Sequence, residues 1–460
     1  MADLDIQQTP IPGLLVISLP MPGDNRGWFK ENWQRAKMTA LGLPDFGPVQ
    51  NNMSFNTSKG ATRGLHAEPW DKYVSLATGR IMGAWVDLRE GESFGQKFFL
   101  EMGPETAVYV PRGVANGYQA LEDGTAYTYL VNDHWSPEAR ASYTYLNLAD
   151  ETADIPWPIS LDQAEISEAD KAHPRLADVV PMKPARTVVL GARGQLGQAL
   201  MAQLDEATGV DRDELDLTDR EAVLAYNWNG VGTIINAAAY TAVDLAETEQ
   251  GRKDCWDANV SAVKNLVEVA RERRMRLVHV SSDYVFDGVT EEHDEDEAFS
   301  PLGVYGVTKA AGDALVATLP QHFIVRTSWV IGSGKNFVGI MADLARKGVK
   351  PTVVSDQFGR LTFTADLAAG IVHLLDSGAE PGTYNLTNTG EVSSWADIAK
   401  QVFELAGASA DDVTPVTTEE YAAGKQISPR PVHSALKLDK IIAAGFTPAP
   451  AEQRLKELLG

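Results

Sequence analysis

The spacing of apolar residues changes once along the chain. Up to about residue 150 they come in short runs with partial alternation: GLLVISLP (13–20), KYVSLATG (72–79), RIMGAWVDL (80–88), GQKFFLEM (95–102), TAVYVPRG (106–113) and TAYTYLVND (125–133). Gly, Pro or Asp bounds each run, and β-branched and aromatic residues recur, as on a half-buried pleated surface. Many short strands with few helical stretches predict an all-β sandwich or barrel. From 187 onward apolar strands alternate with helical periods: TVVL then QLGQALMAQL, GTIINAAA then DANVSAVKNLVEVARER, RLVHVSSDYVF then YGVTKAAGDALVATL. That alternation predicts a parallel, doubly wound α/β sheet. Between the halves AHPRLADVVPMKPA (172–185) carries Pro174, Pro181 and Pro184 and reads as a semi-extended linker. The expected division is a domain over 1–175, a linker over 176–186 and a second domain over 187–460.

Composition narrows the function. A net charge of −23 argues against nucleic acid and anionic membrane as partners. It leaves room for an anionic small ligand in a local positive pocket. Cys255 is the only cysteine, so no intrachain disulfide is possible and a reducing, cytoplasmic setting is expected. The first thirty residues lack a basic n-region, and Pro12 and Gly13 break the run 11–19, so no signal peptide is expected. No stretch reaches the ~20 apolar residues of a membrane span. The acidic run EEHDEDE (291–297) reads as a solvated loop.

Gly191, Gly194 and Gly197 stand between a strand and a helix. One permits a sharp turn, one lets backbone approach a pyrophosphate, and one lets the helix pack closely. Arg193 within this loop either contacts a 2′-phosphate, favouring NADPH over NADH, or is solvated. Tyr305-Gly-Val-Thr-Lys309 puts a phenol and an ammonium on one helix face. The lysine is expected to lower the tyrosine pKa from its usual ~10 so that the pair can protonate a carbonyl oxygen during hydride attack. Ser282, at the end of strand RLVHVS, can hydrogen-bond the same oxygen. His279, alternating with Val278 and Val280, reads as core.

At these residues the second half resembles the dTDP-4-dehydrorhamnose reductase family of extended short-chain dehydrogenases. The resemblance runs through GARGQLG, ELDLTD (214–219), INAAAYTAVDLAE (235–247), SSDYVFDG, YGVTK, RTSWVIG (326–332), DQFGRLT (356–362) and SPRPVHS (428–434). It implies a Rossmann-type fold with a small substrate lobe and Ser282, Tyr305 and Lys309 as catalytic trio, Ser282 standing where the family usually has Thr. It implies Gly191, Arg193, Gly194, Gln195, Leu196, Gly197, Asp216, Leu217, Ala237, Ala238, Ala239 and Asn259 near the NAD(P)H, together with Tyr305 and Lys309. Tyr284, Val285, Trp329, Asn336 and Arg430 would face the nucleotide-sugar. His433 stands where asparagine is expected and is not carried over.

In the first half, DNRGWFKE (24–31) and QNNMSFNTSKGATRGLHAEPWDKYV (50–74) hold the chemistry. Arg63, His66 and Lys72 within ten residues of an acidic protein read as a small cationic pocket. The half contains only His66, His134 and His173 and no His-x-His pair, so no metal is expected. These residues resemble the dTDP-4-dehydrorhamnose 3,5-epimerase family, a metal-free cupin jelly roll, over about residues 10–175, through VDLREGESFG (86–95), VPRGVANGY (110–118), IPWP (155–158) and ISEAD (166–170). The resemblance implies His66 paired with Asp170 as base, Lys72 as the cation that stabilises the enolate oxygen, and Arg26, Glu31, Gln50, Asn52 and Arg63 as nucleotide-sugar contacts. It also implies a homodimer formed through this half. Two positions depart from the family: Trp135 stands where a tyrosine donates a proton, and Asn116 where a histidine is usual. Indole is no acid near neutral pH, which leaves His134, Tyr127, Tyr129 or water to replace it.

Together the resemblances imply a bifunctional enzyme of dTDP-L-rhamnose synthesis. It would epimerise a dTDP-4-keto sugar at carbons 3 and 5, then reduce carbon 4. Three alternatives stay open: a reductase whose jelly roll only dimerises or binds sugar, a regulatory subunit on the reductase fold, and a dehydrogenase of another nucleotide-sugar.

Overall fold

A computed structural model describes residues 3–460 except Ser136 and Glu138. The chain divides into two compact units, Met1–Pro184 and Ala185–Gly460. The first unit is built on two antiparallel sheets. One runs in the order Asp5–Gln8, Leu15–Ser18, Thr106–Val110, Lys72–Thr78, Thr125–Val131, Gln50–Asn56. The other runs Thr144–Tyr145, Thr62–Ala67, Val114–Ala120, Ile81–Asp87, Lys97–Met102. Val74, Leu76 and Val108 of the first sheet pack with Ile81, Trp85 and Tyr118 of the second in one core, so the sheets face each other.

The six apolar runs all form strands, and five further strands of these sheets escaped that pattern. Three of them, Gln50–Asn56, Thr62–Ala67 and Val114–Ala120, carry buried polar residues, among them Asn56, Thr62, Asn116 and Gln119. The tract expected as linker from 176 is packed instead: Leu176, Val179 and Met182 are buried against the second sheet's Val86, Leu88 and Ala115. Burying these three apolar side chains outweighs the tract's freedom.

In the second unit six parallel strands run Thr208–Val210, Arg186–Leu190, Val231–Asn236, Arg276–Ser282, His322–Thr327, Gly382–Asn385. Helices join them, including Gln195–Met201, Ala262–Glu272 and Val304–Val316. The order changes direction on either side of 186–190, which opens a crevice at the strands' carboxyl ends. A smaller apolar core gathers helices Phe337–Arg346, Trp395–Leu405 and Ala451–Leu459. The acidic run 291–297 is not a solvated loop. Glu292–His293 pairs with Ala435–Leu436, His293 is buried and stacks on Phe286 at 4.6 Å, and Glu295 accepts the Asn385 N–H at 3.0 Å. Backbone and imidazole partners take up charges that the bare sequence shows only as acidic. Among the described residues no helix is long and apolar enough to cross a membrane.

Candidate active sites

The first unit holds a cavity of about 710 Å³, lined by Arg63, His66, Glu68, Tyr129, Trp135 and Asp170 among others. His66 lies on strand 62–67. Asp170 lies 104 residues on, in the short helix Glu168–Lys171 capped by Ser167. His66 Nε2 stands 3.0 Å from Asp170 Oδ1. A carboxylate on Nε2 fixes the tautomer and leaves Nδ1 as the nitrogen able to accept a proton. Burial pushes the Asp170 carboxyl up, but its hydrogen bond and charge interaction with His66 outweigh this and leave it below the usual range.

Lys72 projects from the other sheet and is 4% exposed. It pairs with Glu68 at 2.6 Å and donates to Asn116 Oδ1. Burial pulls the Lys72 ammonium down and Glu68 opposes this. A buried ammonium without a carboxylate would shed its proton rather than its hydration. Glu68 is the residue that sequence reasoning missed. Its only signal is the spacing of four in Glu68-Pro-Trp-Asp-Lys72, which predicts a contact only on a helix, and none forms there. Gln50 accepts the Trp135 N–H at 3.2 Å and donates to Asn52 at 2.8 Å. Neither Gln50 nor Asn52 lines the cavity, and nor do Arg26 and Glu31, which pair at the surface with Asp24 and Lys37.

The second unit's cavity, about 1220 Å³, lies in the crevice at the carboxyl ends of the strands. Gly191, Gly194, Gln195, Leu196, Asp216, Leu217, Ala237, Ala238, Ala239, Ser282, Tyr284, Tyr305, Lys309 and Trp329 line it. Gly191 has φ +76°, and a Cβ there would come 2.9 Å from the Ala238 nitrogen. At Gly197 a Cβ would come 2.1 Å from the Gly191 carbonyl, so helix 195–201 can pack on the turn only with glycine. No side chain caps that helix, which leaves its first N–H groups open to a phosphate.

Six expected residues stand outside this lining. Gly197 packs behind the turn. Arg193 is held by Asp211, at 2.9 Å, and by Asp213. Val285 is buried against Phe286 and Leu436. Asn336 caps helix 337–346 by accepting the Gly339 N–H at 2.9 Å. Arg430 pairs with Asp244 at 2.8 Å and hydrogen-bonds the lining Tyr284. Asn259 occupies a π-helical turn, Asp257–Ser261. It accepts the Tyr240 N–H at 2.9 Å and donates to Thr308 Oγ1 at 3.1 Å, with the buried Cys255 Sγ 3.2 Å from the same hydroxyl.

Tyr305 and Lys309 share a face of helix 304–316, and Ser282 hydrogen-bonds the Tyr305 hydroxyl. Burial, followed by the Asp283 charge, pushes the Tyr305 phenol well above its ordinary value. The expected lowering by Lys309 is therefore overturned: desolvation of the phenolate dominates. Burial also pulls Lys309 down to about 8. Its ammonium donates to the Val280 carbonyl at 2.7 Å and lies 3.4 Å from His279 Nε2. His279 is buried, with Asn236 3.1 Å from its other nitrogen.

Residues 185–460 match the RmlD substrate binding domain family, and residues 8–178 match the dTDP-4-dehydrorhamnose 3,5-epimerase family. The chain belongs to both families. Its epimerase unit is 51% identical over 179 residues to the "Protein RmlC homolog" of Streptococcus pyogenes serotype M6, a match over 38% of this chain and 90% of that protein. Its reductase unit is 39% identical over 272 residues to the dTDP-4-keto-6-deoxy-D-glucose reductase of Streptomyces niveus, covering 57% of this chain and 92% of that protein. The same unit resembles the crystal structure of dTDP-4-dehydrorhamnose reductase from Bacillus anthracis in complex with NADP, with a TM-score of 0.56, 34% identity, and 60% and 98% of the two chains covered. The chain is a fusion of the two enzyme regions, the second with the NADP-binding Rossmann-type fold.

One cluster in the epimerase unit was not foreseen. Ligand atoms of His66, Asp170 and His173 lie within 4.8 Å of one another and could hold a metal ion. No His-x-His pair announced it, because the fold rather than the spacing unites strand 62–67 with residues 170–173.

Proposed function

We propose that this chain converts dTDP-4-dehydro-6-deoxy-D-glucose to dTDP-L-rhamnose in two steps, epimerisation at carbons 3 and 5 by the first unit and reduction at carbon 4 by the second. The observation that carries this reading is that each cavity holds a proton-transfer set matched to its step. In the first, a cupin-type jelly roll on this reading, His66 removes the acidic proton beside the ketone while Asp170 holds its ring. The Lys72 ammonium, kept charged by Glu68, stabilises the enolate oxygen. Arg63 faces the sugar nucleotide.

In the second cavity the glycine turn and the uncapped helix fit a dinucleotide pyrophosphate. When bound, NADPH supplies hydride to carbon 4. Tyr305, its phenol kept protonated by burial, donates to the ketone oxygen; Ser282 orients that oxygen, and Lys309 supplies positive charge behind the phenol. The Tyr284 and Trp329 rings face the sugar nucleotide. A homodimer through the first unit is supported by its free edge strand 50–56, where Met53 and Phe55 are exposed. A cytoplasmic location is supported by the buried free thiol.

The test is incubation of the full chain with dTDP-4-keto-6-deoxyglucose and NADPH, with the product sugar identified by NMR. L-rhamnose is expected; a 6-deoxy-D-sugar would sink the two-step reading. Such a product fits the second reading, a reductase with a silent first unit. That reading is favoured by Trp135, 54% exposed at the cavity rim where a proton donor belongs.

A further inference from the structure

We propose that His66, Asp170 and His173 form a site for a transition-metal ion of the Zn²⁺ class, and that the bound ion switches the epimerase unit off. The switching rests on the epimerase reading of the cavity; the site itself does not. Two imidazoles and a carboxylate are a donor set that zinc accepts. Donors around a tetrahedral Zn²⁺ stand about 3.3 Å apart, given bonds of about 2.0–2.1 Å. Here His66 Nε2 lies 3.0 Å from Asp170 Oδ1, and His173 Nε2 lies 3.8 Å from the same oxygen. One ligand atom of each residue lies within 4.8 Å of the other two, so small side-chain rotations close the set on an ion.

The surroundings hold the donors in place. The Asp170 and His173 side chains are almost wholly buried. The Gly64 N–H donates to Asp170 Oδ2 at 3.4 Å, which leaves Oδ1 to the imidazoles. Asn147 donates to the Lys171 and His173 carbonyls, each at 2.9 Å, and so fixes the segment that carries two of the three ligands. The Tyr145 ring stacks on His173 at 4.6 Å and stands edge-on to His66 at 5.6 Å. His66 is partly exposed and lines the cavity, which gives an ion its way in. His173 has no part in the epimerisation derived above. Its ring hydrogen-bonds the Gly64 backbone, but its Nδ1 is buried with no hydrogen-bond partner among the described residues. Such a nitrogen is ligand capacity that packing alone does not use.

Inhibition follows from the tautomer. Without metal the neutral His66 ring donates its Nε2 proton to Asp170, and the Nδ1 lone pair is free to take the proton beside the ketone. A metal on Nε2 needs the lone pair of that nitrogen. The Nε2 proton then leaves to solvent and Nδ1 gains one from solvent, so the ring stays neutral and no net proton is released. Nδ1 now carries an N–H and accepts nothing. Asp170, bound to the ion, no longer supports a protonated imidazole. The ion keeps its charge state throughout, and no bond to carbon forms or breaks.

The experiment uses the full chain, freed of metal by chelator. Zn²⁺ binding is measured by equilibrium dialysis with metal analysis, and epimerase action by wash-in of deuterium from deuterated water into dTDP-4-keto-6-deoxyglucose. Zn²⁺ at ten times its Kd should cut wash-in about tenfold, and chelator should restore it. Mg²⁺ at the same concentration should leave wash-in unchanged, because it prefers oxygen donors. Reduction of authentic dTDP-4-keto-L-rhamnose by the same chain should not change, which separates the site from Zn²⁺ on the substrate diphosphate. His173→Phe keeps a ring against Tyr145 and removes the ligand. It should hold basal wash-in within about threefold of wild type and need at least about tenfold more Zn²⁺ for half inhibition; His173→Gln serves the same purpose if phenylalanine disturbs the unit. Wash-in indifferent to Zn²⁺, or raised by it, overturns the proposal. So does inhibition that persists at the same Zn²⁺ concentration in both variants, or loss of basal wash-in in both. A metal-free wild-type chain with no wash-in overturns the epimerase reading instead, and dialysis of wild type against His173→Phe then still decides the site.

Discussion

Both units bury a lysine beside their chemistry, and they treat it differently. Lys72 is locked to Glu68 at 2.6 Å. Lys309 instead donates to the Val280 carbonyl and lies near His279. In both, burial pulls the ammonium down; only in the first does a paired carboxylate oppose it at hydrogen-bond distance. The difference matches the tasks. An enolate needs a fixed positive charge, and a buried ion pair supplies one. A proton-donating tyrosine is helped by positive charge that stabilises the phenolate it leaves, and a lysine near 8 supplies that charge only below that pH.

The sharpest break of this comparison is Tyr305→Phe, which keeps the ring and removes the proton. Reduction should fall by about 10²–10⁴-fold, with NADPH affinity and deuterium wash-in by the epimerase unit intact. Turnover within a fewfold of wild type would defeat the assignment. Next comes Glu68→Gln, which leaves the Lys72 ammonium buried without its carboxylate. Breaking a buried pair costs about 3–5 kcal/mol, so the first unit should unfold at lower denaturant concentration and lose wash-in, with the second unit's transition unmoved. If the first transition does not shift, the pair is not what holds Lys72.

A subtler effect is pH. Lys309 is protonated below about 8 and loses its charge above it, so kcat for reduction should decline as pH rises through that value. A flat profile from 7 to 9.5, measured on authentic ketone with saturating NADPH, would remove the role given to Lys309. The smallest effect is expected at Arg193. Asp211 and Asp213 already hold it, and it is 65% exposed. Arg193→Ala should therefore change the KM for NADPH by about twofold, the scale of an exposed ion pair. A tenfold rise would mean that the guanidinium leaves its acids for the 2′-phosphate.

What could be read from the sequence follows how contiguous each feature is. The glycine turn and the Tyr305–Lys309 pair each lie within one short segment, and their spacing carries their geometry. His66 and Asp170 are 104 residues apart; family resemblance, not spacing, joined them. Tyr129 was one of several candidates in the sequence, and its place in the lining of the first cavity comes from the fold alone. Strand 114–120 stayed hidden because Asn116 and Gln119 break its apolar pattern; Asn116 accepts from Lys72, and Gln119, on the other face, bonds Thr62 and Ile159. Glu295 was misread for the opposite reason: its burial depends on Asn385, 90 residues away.

Cys255 is the one thiol of the chain, buried beside the π turn that holds Asn259 against Thr308. A thiol reagent can reach it only when helix Glu249–Trp256 opens. Labelling rate therefore measures the free energy of that local opening, one step from the catalytic helix. If dinucleotide binds only the closed form, each tenfold excess over its Kd should slow labelling about tenfold. The protein carries its own gauge of how tightly the cofactor site is shut, readable by mass at a single thiol.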